Sequence, residues 1–232
     1  VNKKTHNGGA GGIEAKADLP MLEKRFHGLW SRCVKPGSDP AGADRAWKVL
    51  ADGYSEPHRH YHDIGHLKHC LHGLGLAATV AHDPATLELA IWFHDLVYDP
   101  GAKDNEQRSA EVFASLAGPY MAPERVDRIR KLIMTTMHRE QPEGGDERFI
   151  ADIDLSSFAK PWPQFLTDGE NLRAEEPDKS DEDFYAAKIR FHRSLLQRRR
   201  IFNTVPFQLR YEAHARENIE RYLALLAERG YR

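Results

Sequence analysis

Apolar residues in this chain recur every three or four positions over most of its length, and that spacing predicts helices. Leu22, Phe26, Leu29, Trp30 and Cys33 fall on one face of a first helix, which Pro36-Gly37 ends. Ala43, Ala46, Trp47 and Leu50 repeat the spacing in a second helix over about 41–52, and Gly53 and Pro57 then break it into a loop over 53–61. Helices are expected over 62–80 and 84–97, the latter with Asp83 as its N-cap and Pro84 in its first position. The same periodicity predicts helices over 104–117, 123–138, 147–159, 162–174, 181–203 and 206–229. Strand-like alternation is scarce, there is no internal repeat, and no glycine-rich nucleotide loop occurs. The polar run 172–183 reads as a loop within one domain. These patterns predict an all-α, single-domain helical bundle over 19–232.

Composition narrows the picture. At 232 residues, with 41% hydrophobic and 29% charged side chains, the chain can bury a sizeable core. Its 33 basic and 35 acidic side chains leave a formal net charge of −2, so no stable nucleic-acid partner is expected. No apolar run approaches the roughly 20 residues that cross a bilayer, which argues against a membrane protein. Cys33 and Cys70 lack the spacing of a disulfide framework or a zinc finger, and a cytoplasmic location is the simplest expectation. Residues 1–18 are glycine-rich and have no apolar signal core; they are expected to be a disordered tail or a cloning remnant.

Three segments carry candidate chemistry. His58, His60, His62, His66, His69 and His72 crowd one stretch, and on a helix from 62 the residues His62, His66 and His69 share a face. Neutral imidazole is the commonest metal ligand, although a solvated polar face explains such a cluster as well. In "AIWFHDLVYD" (90–99), His94 and Asp95 end an apolar helix. A carboxylate there is costly unless a cation or hydrogen bonds compensate, which a structural ion pair or a metal could each supply. In "FIADIDLSSF" (149–158), Asp152 and Asp154 interrupt an apolar segment, and either could be a helix cap or a ligand.

Taken in order, these residues read His, then His-Asp, then Asp, and the sequence resembles the HD-domain superfamily, whose signature is H…HD…D. "YHDIGHL" (61–67) is similar to the Y-H-N-x-x-H motif of its cyclic-nucleotide phosphodiesterase branch, and "DIDLS" (152–156) to that branch's A-D-L-S. "RHYHDIGHL", "WFHDLVYDP", "DNEQRSA", "TTMH" and "EAHARENIER" together resemble a family of uncharacterised predicted metal-dependent HD hydrolases.

The resemblance implies hydrolysis of a phosphate ester or anhydride, of a nucleotide in particular, by metal-activated water. It implies one divalent ion (Mn, Fe, Co, Ni, Zn or Mg) on His66, His94, Asp95 and Asp154, with Asp152 the alternative last ligand. His62 takes the place of the histidine that protonates the leaving oxygen, and Asp95 is the second candidate catalytic group. Asp63 stands where the phosphodiesterases carry Asn, and Asp63 or Glu106 is expected to tune His62. Two-metal relatives add two histidines before the last Asp; here only His138 lies in that interval, which favours one ion, or a weakly held second. Arg59, Tyr61, Glu106 and His138 are further candidates to bind substrate or support the ligands, each with a plain structural alternative. The expected partner is a small phosphorylated molecule, and a homo-oligomer is left open. The rival readings are a metal- and nucleotide-binding regulatory protein without turnover, and an HD-type di-iron oxygenase, against which the histidine-poor stretch 96–137 counts.

Overall fold

The computed structural model describes residues 10–232, with side chains from Asp18 onward. Ten α-helices follow in order: α1 (Ala10–Cys33), α2 (Ala41–Gly53), α3 (Ile64–Ala77), α4 (Pro84–Phe93), α5 (Asn105–Ala117), α6 (Pro123–Thr135), α7 (Gly145–Leu155), α8 (Trp162–Ala174), α9 (Asp181–Gln197) and α10 (Val205–Glu228). A single 3-10 turn, Ser156–Ala159, continues α7. The described residues contain no strand, and no helix among them is long and apolar enough to cross a membrane. The chain is an all-α single domain.

α4 is the central element. Leu87, Leu89, Ala90, Ile91, Trp92 and Phe93 are all buried, which is the pattern of a helix surrounded on every side. Asp83 caps it by accepting from the Thr86 N–H, and Pro84 opens it as expected. α1 lays Phe26, Leu29 and Trp30 against it, with the Phe26 ring edge-on to Trp92 at 5.4 Å. At Gly53 a side chain would meet the Leu96 carbonyl oxygen at 3.0 Å, so glycine lets the end of α2 close on the segment after α4.

A smaller apolar cluster, Phe165, Ile189, Tyr222 and Leu226, joins α8, α9 and α10. Between it and the main core lies the site described next.

Several expected boundaries move. α1 begins at Ala10, inside the segment expected as a tail, where alanine, glutamate and lysine favour helix; residues 1–9 lie outside the described residues. α3 starts at Ile64 because Asp63 caps it, so His62 precedes the helix. α9 ends at Gln197 although the apolar pattern continues: Ile201 and Phe202 are buried from an irregular segment. That segment is held by the Glu212 carboxylate, which accepts from the backbone N–H groups of both residues.

A buried cluster of metal-ligand groups beside a cavity

Three elements bring their polar residues to one point. His66 comes from the first turn of α3, His94 and Asp95 follow the last residue of α4, and Asp154 comes from the end of α7. The two imidazole Nε2 atoms are 3.3 Å apart. Asp95 Oδ2 lies 3.0 Å from His94 Nε2 and 3.3 Å from His66 Nε2. Asp154 Oδ1 lies 3.3 Å from His66 Nε2 and 3.8 Å from His94 Nε2. The imidazole side chains are 2% exposed and the carboxylates 16% and 20%, so the cluster is open on its carboxylate side.

Cys70, one turn after His66, was absent from the expected set. Its Sγ is 3.6 Å from His66 Nε2, and ligand atoms of His66, Cys70, His94 and Asp154 all lie within 4.8 Å of one another. This buried group could hold a metal ion. Asp95 lies outside that four-membered group, although its Oδ2 is within 3.3 Å of both imidazole Nε2 atoms. The helical period, which places residue 70 on the same face as residue 66, was the available signal.

The donor set fits a divalent ion by geometry and by protonation. Ligands about 2.0–2.2 Å from a common ion stand roughly 3.0–3.5 Å apart in octahedral or tetrahedral arrangement. His94 Nδ1 is 2.8 Å from the Ile91 carbonyl oxygen, which can only accept, so Nδ1 carries a proton and Nε2, which faces the cluster, is the atom left to coordinate an ion. Burial would raise Asp95 and Asp154, but the neighbouring imidazoles hold both well below the usual carboxylate range, with His138 the largest of these influences on Asp154. Burial would lower His66 and His94. The Cys70 thiol and the carboxylates at His66, and Asp95 at His94, outweigh it and raise both well above the ordinary imidazole value.

His62 stands beside this cluster, its ring centroid 5.9 Å from that of His66. Its Nδ1 is 2.7 Å from Oε2 of Glu175, a residue the sequence reading passed over within a polar loop. Glu175 is 1% exposed, and its other oxygen accepts from the backbone N–H groups of His60, Tyr61 and His62. Burial would raise this carboxyl, but the hydrogen bonds from His62 and these amides pull it down to about 2. Neither residue expected to tune His62 does so by contact. Asp63 is spent on capping α3, accepting from the Gly65 and His66 N–H groups. Glu106 makes no side-chain hydrogen bond among the described residues; burial raises its carboxyl, and the charges of Asp95 and Asp154 add to this.

No family model, curated protein or solved structure matches the chain. The geometry therefore carries the functional argument.

The other candidates sort by position. Arg59, expected to bind a phosphate or support the ligands, is a support only: its guanidinium is buried and donates to Glu56 and to the carbonyls of His62, Asp95 and Leu96. Asp152 is not at the cluster. It is fully buried and accepts from the backbone and side chain of both Asn203 and Thr204, tying α7 to the start of α10. His138 lies past the end of α6 in a left-handed conformation, and its Nε2 is 2.7 Å from Asp154 Oδ2. Tyr61 donates to Ser157 Oγ at 2.9 Å. His69, expected to share the ligand face, bonds Ser156 Oγ instead and is pushed down to about 3, chiefly by burial.

A cavity of about 160 Å³ opens next to the cluster, and Tyr61, His62, His138 and Asp154 form its inner end.

Proposed function

We propose that this protein is a metal-dependent phosphohydrolase of the HD kind, acting on a phosphate ester or anhydride of a small molecule such as a nucleotide. The observation that carries this reading is the His62–Glu175 pair, set beside the convergent His66, His94, Asp95 and Asp154 at one end of a cavity. The order His, His-Asp, Asp supports it from the sequence.

A divalent cation held by His66, His94, Asp95 and Asp154, with Cys70 adjacent, would supply charge for the phosphoryl oxygens and acidify a water. The chain's own residues account for the rest. Glu175 is ionised and can only accept, so His62 Nδ1 carries a proton toward it. His62 Nε2 has no partner among the described residues, and in the imidazolium form it donates to a leaving oxygen entering from the cavity. The amides of residues 60–62 hold the Glu175 carboxylate still, and the carboxylate holds the ring. Asp95, whose side chain is 16% exposed, can take the proton lost by the attacking water. Arg59 fixes the backbone on both sides of this arrangement by joining the carbonyls of His62 and Asp95.

General-acid assistance matters most for a poor leaving group. His62→Ala is expected to slow hydrolysis of an alkyl phosphodiester by about 10²–10⁴-fold while largely sparing a p-nitrophenyl ester, whose leaving group needs no proton. Equal loss on both substrates would remove His62 from the acid role.

A further inference from the structure

The outer part of the cavity has a chemistry that phosphoryl transfer does not use. Phe158, Phe165, Phe191 and Tyr222 line it. Phe158 lies 6.0 Å from Phe165 and 6.1 Å from Phe191, and Phe165 meets Tyr222 edge-on at 5.6 Å. Walls of this kind suit a planar ring. At about 160 Å³ the space is below the roughly 300–1,000 Å³ of whole-ligand pockets, and matches one ring-sized part of a substrate.

Two polar groups on α9, one turn apart, enter the same cavity: Lys188 and His192. Among the described residues the Lys188 ammonium has neither an ion pair nor a hydrogen bond, whereas Asp168, which also lines the cavity, is paired with Lys160 at 2.7 Å. Burial pulls Lys188 down to about 8. The half-buried ammonium lies 5.7 Å from the Phe184 ring centroid, a weak partner that a ligand oxygen would improve on. His192 Nδ1 lies 2.6 Å from the Lys188 carbonyl oxygen and so carries its proton there. Burial, then the charge of Lys188, pull the ring down to about 4, so at neutral pH His192 is uncharged and its Nε2, unpartnered among the described residues, is an acceptor. The aromatic walls are thus flanked by one strong donor and one acceptor.

We propose that this cavity takes a planar ring of the substrate, and that Lys188 and His192 select a ring edge pairing a carbonyl oxygen with a neighbouring N–H, as in a uracil- or hypoxanthine-type base. Lys188 donates to the carbonyl oxygen and His192 Nε2 accepts from the N–H. The proposal rests on the phosphohydrolase reading for what lies at the inner end, but ring selection is measured by binding and so fails separately.

The test is calorimetric titration of the full chain with uridine, 3-methyluridine, inosine, cytidine and adenosine 5′-monophosphates. Uridine and inosine monophosphates are expected to bind about tenfold more tightly than the cytidine and adenosine compounds, one charged hydrogen bond being worth about that. 3-Methyluridine monophosphate, which lacks the N–H, is expected to lose the advantage. Lys188→Met is expected to level the series, and Lys188→Arg, which keeps the donor, to retain the order. Equal affinities in the unaltered protein, no binding of any of the five, or a preference that survives Lys188→Met would overturn the assignment. Hydrolysis of a simple aryl phosphodiester, which needs no such ring edge, judges the reaction separately.

Discussion

Glu175 joins the His62 ring to three consecutive backbone amides through one buried carboxylate. It is 113 positions from His62, in a run whose composition reads as solvated loop, and no periodicity sets it apart. Its role arises only when the fold closes, because three consecutive amides and an imidazole then share one buried carboxylate. Glu175→Gln is expected to lower kcat about ten- to hundredfold with little change in KM, since the amide can present an N–H to His62 Nδ1 and turn the ring's tautomer. The substitution also has a pH signature in stability. A carboxyl pulled from 4.5 to about 2 on folding contributes on the order of 3 kcal/mol above pH 4.5, and loses it as the pH falls toward 2. The Tm deficit of Glu175→Gln should therefore be full at neutral pH and shrink through that window; a deficit independent of pH would contradict it. His66, His94 and Asp154, which the fold brings into one buried group, were legible from residue type and order. Cys70 was legible in principle from the helical period. For Arg59 the sequence leaves substrate binding and a structural role both open, because it does not distinguish an exposed guanidinium from one consumed by backbone carbonyls.

At the scale of elements, α7 shows how one helix divides two similar residues. Asp152 and Asp154 are two positions apart and so point to nearly opposite sides of the helix. The first anchors the start of α10; the second joins the cluster. Asp152→Ala strands the backbone and side-chain donors of Asn203 and Thr204, and is expected to cost about 3 kcal/mol or more, read as a large fall in Tm. Asp154→Ala is expected to abolish tight metal binding while the metal-free protein remains folded. The reverse pattern would exchange their roles. Most helices were legible from periodicity, and α4 from its cap and unbroken apolar run. Boundaries were not, where a tertiary contact stops a helix that local pattern would extend. The Glu212 carboxylate takes the amides of Ile201 and Phe202 in this way, whereas the start of α3 is set locally, by Asp63 accepting from the amides of Gly65 and His66.

For the whole molecule, the cluster links metal, protons and folding. Cys70 and the carboxylates raise His66 and Asp95 raises His94, so a metal would compete with protons for these rings, and its apparent affinity should rise with pH. Because the three contributing elements come together only in the folded chain, a metal should also raise Tm, by the equivalent of about 2.7 kcal/mol at a hundredfold excess over Kd. Differential scanning calorimetry with and without chelator checks both; a Tm indifferent to metal at every pH would place no ion here. Metal-dependent turnover is the decisive measurement. Chelator-treated protein is reloaded in turn with Mn, Fe, Co, Ni, Zn or Mg, and phosphate and nucleotide products are followed over a panel of nucleotides and phosphodiesters, with Asp95→Ala alongside. Turnover should appear on reloading with at least one of these metals and be lost in Asp95→Ala; a protein that holds the metal tightly yet turns over none of the panel, or an Asp95→Ala variant as active as the parent, would rule out the phosphohydrolase reading.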